Sequence, residues 1–166
     1  MIRRLGAYTG KRIIFGYDRY LLPDLAAYRG ALSAHGGSLL EAVDTGHLHY
    51  LSSAELTCRT VQADAESFGI LCCGTGMGMS IAANKFQHIY AARCTTVEDA
   101  QLARSINNAN VLCLASKYGF DLNRAIVDAF VTTPYTGRKL DELEYITSFE
   151  RAVPSPSIAT TLRRIA

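Results

Sequence analysis

The sequence has no strong excess of either charge and no long apolar run. It has 17 lysines and arginines against 15 aspartates and glutamates, a formal net charge of +2, and no dense basic run. Binding to nucleic acid or to an anionic membrane therefore has little support. No stretch of about 18 apolar residues occurs, so no membrane span is expected. Residues 1–6 include two arginines, but no apolar segment follows them, so no secretory signal is expected.

Signatures of metal binding and of disulfides are also scarce. The few histidines have no convincing partner in the sequence, so a metal site has little support. The cysteines are odd in number, lie mostly in or beside apolar runs and form no Cys-x-x-Cys pair, which argues against a disulfide framework. This usage predicts a reducing compartment, the cytoplasm. The residues concerned are His35, His47, His49, His88, Cys58, Cys72, Cys73, Cys94 and Cys113.

Apolar runs alternate with amphipathic stretches along the 166 residues, of which 49% are hydrophobic. Length and composition fit one globular domain. Strict alternation of strand and helix predicts a five-stranded parallel sheet with helices on both faces, a three-layer α/β/α fold. The predicted strands are 12–17, 38–43, 68–73, 89–93 and 110–114. The predicted helices are 21–35, one from 52 or 53 within 47–67, 79–86, one opened by a capping box at 96–99, one around 122–130, and 138–151.

These elements divide the chain into three parts. Residues 1–11 are predicted to be an N-terminal leader, disordered or loosely attached over 6–10. Residues 12–151 form a single α/β domain that includes the C-terminal helix. Residues 152–166, which contain two prolines, are predicted to be a C-terminal tail.

The most informative segment is 73–85, Cys-Gly-Thr-Gly-Met-Gly-Met-Ser-Ile-Ala-Ala-Asn-Lys. It joins a buried strand to a helix, and its alternate glycines allow the backbone to approach a ligand closely. The N–H groups of such a turn and of the helix start form a site for an anion. Cys73 stands at the mouth of that site, where a helix N-terminus favours the thiolate. A reactive side chain beside an anion hole predicts catalysis.

Polar side chains at the carboxyl ends of parallel strands meet at one edge of the sheet. Asp18 and Cys73 follow predicted strands directly, and Asn107 lies just before the fifth strand. We expect the three to gather at that edge, with the arrival of Asn107 less secure from spacing alone.

Each candidate also has a simpler structural explanation. Cys73 could be a small buried apolar residue, as expected for Cys72, Cys94 and Cys113. Thr75 could stabilise the turn, Asp18 could be a helix N-cap, and Asn107 could end a helix in the left-handed conformation. Three basic residues could be solvated surface charges: Arg19, Lys117 and Arg138.

Taken together, the segments 69–85, 107–112 and 126–130 and the pair Tyr17-Asp18 resemble the type B ribose-5-phosphate isomerases and the subunits of galactose-6-phosphate isomerase. The resemblance covers about residues 12–150. It implies a Rossmann-like domain and a homodimer, sometimes a dimer of dimers, whose active sites draw residues from both subunits. It also implies interconversion of aldose and ketose phosphates through a cis-enediolate, without a metal or an organic cofactor.

The resemblance assigns roles to individual residues. Cys73 matches the base that moves a proton between C1 and C2, and Thr75 matches a residue that assists at the substrate oxygens. Substrate or anion-hole positions are Asp18, Gly74, Gly76, Met77, Gly78, Ser80 and Asn107. Arg138 matches a phosphate-binding arginine of the family, and Lys117 stands where the family usually has another. Arg19 is a third candidate phosphate ligand, because its guanidinium suits a phosphate or a carboxylate.

The sequence departs from the family at the substrate end. Ile106 stands where a histidine opens the furanose ring, Arg19 replaces another histidine, and a second C-terminal arginine is missing near Asp141 or Glu142. These changes predict an altered substrate, for example a tetrose or tetrulose phosphate that is already open-chain. Two alternatives stay open: an isomerase or epimerase of a non-standard or unphosphorylated sugar, and a non-catalytic subunit that pairs with an active homologue.

Overall fold

The computed structural model describes residues 2–150 of the chain. The strands are β1 (Arg12–Tyr17), β2 (Leu39–Glu41), β3 (Ser67–Cys73), β4 (Ala91–Arg93) and β5 (Val111–Ala115). The α-helices are α1 (Leu25–Ser33), α2 (Tyr50–Ala63), α3 (Met77–Ala83), α4 (Val97–Ser105), α5 (Phe120–Thr132) and α6 (Leu140–Ser148). Short 3₁₀ helices span Arg19–Asp24 and Ser116–Tyr118.

The five strands form one sheet in the order β2-β1-β3-β5-β4, and every pair is parallel. The predicted parallel sheet is therefore confirmed. The register pairs Tyr17 with Cys72 and Cys73 with Ala115. The last residues of the three central strands thus lie side by side at the carboxyl edge of the sheet.

Helices cover both faces of the sheet, as alternation along the strands requires. On β3, Phe68, Ile70 and Cys72 pack into the core beneath α1, α4 and α5. Leu71 and Cys73 point to the opposite face, into the core beneath α2 and α3. The three-layer prediction is confirmed, and Cys73 lies on the same face as the helix that its own loop begins.

Element boundaries differ from the prediction by a few residues. The first predicted helix is a 3₁₀ segment that becomes α1 at Leu25, because Pro23 has no N–H for an α-helical hydrogen bond. Helices α2 and α3 each begin two residues or more before the predicted start. The capping box is confirmed: Thr96 Oγ1 accepts the Asp99 N–H at 3.0 Å, and Asp99 accepts the Thr96 N–H at 3.0 Å.

The N-terminal segment packs on the domain, so the expectation of loose attachment over 6–10 was wrong. Gly6 exchanges backbone hydrogen bonds with Tyr135 at 2.8 and 3.0 Å. Tyr8 is 4% exposed and stacks on Phe68 with ring centroids 4.5 Å apart. A buried tyrosine ring provides enough apolar contact to hold a glycine-flanked segment. The predicted tail, 152–166, lies outside the described residues.

Arg104 holds the N-terminal segment in place through hydrogen bonds to Tyr8 and Gly6. Its side chain is 1% exposed, and its guanidinium donates to Tyr8 Oη at 3.1 Å, Asn108 Oδ1 at 2.8 Å, Ala109 O at 2.7 Å and Gly6 O at 3.0 Å. It also lies 3.9 Å from the centre of the Tyr8 ring. Neutral oxygens and an aromatic face thus surround the terminal nitrogens of a buried cation, whose Nε has no hydrogen-bond partner among the described residues.

Within residues 2–150 no helix is both long enough and apolar enough to cross a membrane.

Candidate active site

The Cys73 side chain lies at the carboxyl edge of the sheet, at the end of β3. It is 4% exposed, and its Sγ accepts a hydrogen bond from the Gly76 N–H at 3.2 Å. A hydrogen bond donated to sulfur stabilises the thiolate over the thiol. Strand and loop together therefore hold the thiol against the start of α3.

The other cysteines are buried, as predicted for Cys72, Cys94 and Cys113. Burial raises the pKa of Cys58 and of Cys94 to about 12. Burial also raises the pKa of Cys72 and of Cys113. These four thiols are inert apolar residues at neutral pH.

Glycine is required at two positions of the loop. Gly76, the N-cap of α3, has a φ of +71°, and a Cβ there would lie 3.0 Å from the Leu114 carbonyl oxygen. A Cβ on Gly78 would lie 2.8 Å from the ring of Tyr50. The loop is therefore packed between β5 on one side and the first residue of α2 on the other.

The predicted anion hole is only partly free to bind a ligand. The Met77 N–H donates to Thr75 Oγ1 at 3.3 Å, so Thr75 does stabilise the turn. The Ser80 N–H donates to the Gly76 carbonyl at 3.2 Å, so the backbone of Ser80 belongs to the helix. The N–H groups of Gly78 and Met79 lie in the first turn of α3, where backbone N–H groups have no acceptor within the helix. These are the donors that the loop can offer to a ligand.

Asp18 also lies at the carboxyl edge of the sheet, where it is the N-cap of the first 3₁₀ helix. Its carboxylate is 6% exposed and accepts the Tyr20 N–H at 3.0 Å. Burial raises the pKa of Asp18, and hydrogen bonds from the backbone of Tyr20 and Gly74 act in the opposite direction. The carboxylate thus faces the first glycine after Cys73.

A cavity of about 250 Å³ opens beside Asp18. Its walls are Asp18, Arg19, Tyr20, His47, Leu48, His49 and Tyr50. The sequence had given no role to the two histidines. Their position between β2 and α2, at the carboxyl edge of a parallel sheet, was the available signal.

The two remaining histidines have partners, contrary to expectation. His35 Nε2 lies 3.0 Å from Asp128 Oδ1, and His88 Nδ1 lies 3.2 Å from Glu150 Oε2. Both pairs join residues that are far apart in the sequence, so the sequence alone does not predict these contacts. Among residues 2–150 no group of three His, Cys, Asp or Glu side chains could hold a metal ion.

Arg93, which sequence reasoning missed, joins the glycine loop to the segment after β5. It ends β4, and its Nε donates to the Thr75 carbonyl at 2.8 Å while its Nη2 lies 3.4 Å from Tyr118 Oη. Lys117 Nζ lies 4.9 Å from the centre of the Tyr118 ring. The Arg93 hydrogen bond, followed by the charge of Lys117, lowers the pKa of Tyr118. Two cations therefore flank one phenol at this edge.

Asn107 and Arg138 lie at the opposite, amino edge of the sheet. Asn107 precedes β5, whose first residue pairs with Gly69, whereas its last residue pairs with Cys73, about 13 Å further along the strand. Arg138 follows α5, and its carbonyl accepts the Tyr135 hydroxyl at 3.0 Å. The expectation that Asn107 reaches the edge of Cys73 is therefore wrong within one chain.

The surroundings of Asn107 also differ from prediction. The residue that takes the left-handed conformation after α4 is Asn108, with a φ of +46°. Asn107 lines a cavity of about 410 Å³ along the edge strand. Other residues of that cavity include Arg93, Cys94, Asp99, Leu102, Leu143 and Ile146.

The chain is similar to proteins of known name. It is 41% identical over 128 residues to the DNA damage-repair/toleration protein DRT102 of Arabidopsis thaliana, a match that covers 75% of this chain and 40% of that protein. It is 42% identical over 109 residues to ribose-5-phosphate isomerase B of Escherichia coli, covering 64% and 71%. It is 44% identical over 70 residues to D-erythrulose-4-phosphate isomerase of Pectobacterium atrosepticum, covering 42% and 46%.

Structure and family agree with these matches. Ribose-5-phosphate isomerase B from Mycoplasma genitalium, solved with bound ribulose-5-phosphate, superposes with a TM-score of 0.78 at 29% identity and covers 86% of this chain and 97% of that one. The family model described as Ribose/Galactose Isomerase matches residues 33–146. The chain belongs to the ribose/galactose isomerase family.

Proposed function

We propose that this protein is an aldose–ketose isomerase of a sugar phosphate, with Cys73 as the base. The observation that carries the proposal is the hydrogen bond from the Gly76 N–H to Cys73 Sγ, at the mouth of a loop that opens α3. A thiolate needs such a donor, and a developing oxyanion needs the remaining N–H groups of the same turn. Membership of the family supports the same reaction.

The reaction needs one base and one site for negative charge. The Cys73 thiolate takes the proton from C2 of the aldose, the C–H electron pair becomes the C1–C2 double bond, and the carbonyl pair moves onto O1. The proton on O2 then passes to O1, the C2 carbonyl forms, and C1 takes the proton back from Cys73. Backbone donors stabilise the intermediate, and Thr75 assists at the substrate oxygens.

We infer that the substrate is a short open-chain sugar phosphate, a tetrose or tetrulose phosphate, rather than a closed pentose. Ile106 cannot exchange a proton with a ring oxygen, and it caps α4 at the amino edge, away from Cys73. Arg19 and Lys117 lie at the carboxyl edge and are the phosphate ligands of this chain. Relatives named for both pentose and tetrulose phosphates are compatible with this choice.

We further propose a homodimer, or a dimer of dimers, with shared active sites. One chain keeps Asn107 and Arg138 at the edge opposite Cys73, where they cannot contact the same small substrate. A twofold arrangement would let Asn107 and Arg138 of the partner subunit complete the site. The five free thiols suit the reducing cytoplasm.

Turnover of several sugar phosphates by matched cysteine variants tests the proposal. Wild-type protein should convert erythrulose 4-phosphate faster than ribose 5-phosphate, and Cys73→Ala should lower kcat by about 10³-fold. Cys72→Ala is the control, since that thiol is the neighbouring residue of the same strand but packs in the opposite core; its kcat should stay within about threefold. Faster turnover of the pentose would contradict the substrate choice, and an active Cys73→Ala would contradict the mechanism.

A non-catalytic subunit is the second candidate, favoured by Ile106 at the position of the ring-opening residue. Such a protein would bind a sugar phosphate without turning it over, and binding would be insensitive to Cys73→Ala. Calorimetric titration with erythrulose 4-phosphate beside the assay separates the two functions.

A further inference from the structure

We propose that His49 is a further catalytic residue, whose imidazole donates a hydrogen bond from Nε2 to the substrate oxygen that becomes negative in the enediolate. The inference rests on the proposed isomerase function and adds a side-chain donor to the backbone donors of the glycine loop. It assigns a role to the cavity beside Asp18.

The tautomer of His49 is fixed by its backbone neighbour. His49 is the N-cap of α2, and its Nδ1 accepts the Leu51 N–H at 3.3 Å. A ring nitrogen that accepts a hydrogen bond carries no proton, so the proton of the neutral ring is on Nε2. A neutral imidazole at a helix N-terminus can polarise a substrate carbonyl in aldose–ketose isomerisation.

The imidazole is linked to each end of the glycine loop through one intervening residue. Its ring centroid is 4.7 Å from that of Tyr50, whose ring in turn rests against Gly78. On the other side, His49 shares the cavity wall with Asp18, whose carboxylate faces the backbone of Gly74. His49 is therefore separated from Gly78 by Tyr50 and from Gly74 by Asp18.

The segment before α2 is held in an unusual conformation. Leu48 has a φ of +43°, in the left-handed region that a leucine rarely adopts. It is retained because the Leu48 N–H donates to the Asp44 carbonyl at 2.8 Å, and the Leu48 carbonyl accepts the Arg19 N–H at 3.2 Å. Backbone strain that the surroundings maintain is typical of functional sites. Here it fixes the residue directly before His49.

The imidazole does not exchange a proton in this step. As Cys73 removes the proton from carbon, the C–H pair forms the new double bond and the carbonyl π pair moves to oxygen. The Nε2–H group of His49 strengthens its hydrogen bond to that oxygen as the charge grows. The interaction is stronger in the transition state than with bound substrate, so it raises kcat more than it lowers KM.

The test compares His49→Asn with His47→Asn. Asparagine is a good N-cap, so His49→Asn retains an acceptor for the Leu51 N–H while it removes the Nε2 donor and the ring contact with Tyr50. His47 lines the same cavity and is the matched control. With erythrulose 4-phosphate we expect kcat of His49→Asn to fall about 10²-fold, the loss typical of one oxyanion donor, with KM within threefold. His47→Asn should stay within threefold of wild type in both constants.

Nitrogen-15 NMR of the wild-type imidazole provides a second readout that does not depend on a folded variant or on turnover. We expect His49 to carry its proton on Nε2 at pH 7.5. An Nδ1–H tautomer, an unchanged kcat in His49→Asn, or an equal loss in His47→Asn would overturn the proposal. If Cys73→Ala abolishes turnover while His49→Asn does not, only this inference fails; if Cys73→Ala is fully active, the proposed function itself fails.

Discussion

The two edges of the sheet carry polar groups in opposite ways. At the carboxyl edge, Cys73 and Asp18 meet backbone N–H groups beside an open cavity, and Arg93 ties the loop without a carboxylate partner among residues 2–150. At the amino edge, Arg104 and Asn108 bind one another and the N-terminal segment, and both are buried. The polar groups around Cys73 are available to a ligand, whereas Arg104 and Asn108 are satisfied by contacts within the chain.

The difference indicates how the fold separates chemistry from stability. Helices of a parallel sheet begin near the carboxyl edge, so their positive ends and free N–H groups collect there. At the amino edge the chain returns from helix to strand, and its carbonyl groups need donors. Burial lowers the pKa of Arg104, which donates to two such carbonyls, of Gly6 and Ala109, and to the side-chain oxygens of Tyr8 and Asn108. Substitutions at the two edges should therefore change different properties.

The largest effect on stability should come from the amino edge. Arg104→Met removes a donor from the buried oxygens of Gly6, Ala109 and Asn108. The Gly6 and Ala109 carbonyls keep the Tyr135 N–H and the Tyr8 hydroxyl as donors, whereas Asn108 Oδ1 loses its guanidinium partner. We expect the free energy of unfolding to fall by about 3 kcal/mol, measured by urea denaturation, with kcat per folded molecule unchanged. Arg59→Met, at an exposed ion pair on α2, is the control and should cost about 0.5 kcal/mol or less. A similar loss of unfolding free energy in Arg104→Met and Arg59→Met would contradict a special stabilising role for the amino edge.

Gly76→Ala should damage the carboxyl edge next most severely. The alanine would need a φ of +71° and would bring its Cβ to 3.0 Å from the Leu114 carbonyl. We expect about 2 kcal/mol of destabilisation and a loss of kcat of about 30-fold, because the donor to Cys73 moves. Gly30→Ala, in α1 with nothing within 4 Å of the new Cβ, should instead stabilise by about 0.5–1 kcal/mol. Activity retained in Gly76→Ala would show that the loop conformation is dispensable.

Arg93→Met should have a smaller effect, confined to catalysis. Arg93 positions the loop through the Thr75 carbonyl and adds positive charge beside Lys117. We expect kcat/KM to fall about tenfold, which corresponds to about 1.4 kcal/mol, with the melting temperature almost unchanged. Arg124→Met, at an exposed position on α5, should leave both quantities as in wild type. An equal fall of kcat/KM in Arg124→Met would indicate that overall positive charge, and not the Arg93–Thr75 hydrogen bond, is responsible.

Asp18→Asn should have the smallest effect on stability, and the size of that effect depends on pH. Burial raises the pKa of Asp18 in the folded protein, so the folded state binds a proton more tightly than the unfolded state. Between the two pKa values, stability falls as pH rises, and at pH 7 the ionised carboxylate costs stability. Asparagine keeps the acceptor for Tyr20 without the charge. Asp18→Asn should therefore melt slightly higher than wild type at pH 7, and the gain should disappear below about pH 4.

A melting curve at both pH values checks this, with the activity assay beside it. Asp18→Asn should lose activity while gaining stability, as expected of a residue retained for function. A lower melting temperature at pH 7 would contradict the direction of the pKa shift.

The sequence was sufficient to predict the sheet, the layers and the glycine loop, because these depend on apolar periodicity and on turn residues. It failed where contacts join distant parts of the chain. Tyr8 was assigned to a loose leader because its partners, Phe68 and Arg104, lie far along the chain. Asn107 was expected at the edge of Cys73 although it precedes β5, and a residue just before a parallel strand lies at the amino edge. His49 was passed over because its tautomer depends on the backbone of α2.

The central claim is that Cys73 moves a proton to and from the carbon next to a carbonyl. It is tested most directly by incubating the protein with erythrulose 4-phosphate in D2O and following deuterium at C1 and C2 by NMR. The account predicts incorporation by wild type and by Cys72→Ala, and none above background by Cys73→Ala. Incorporation by Cys73→Ala at the wild-type rate would contradict it.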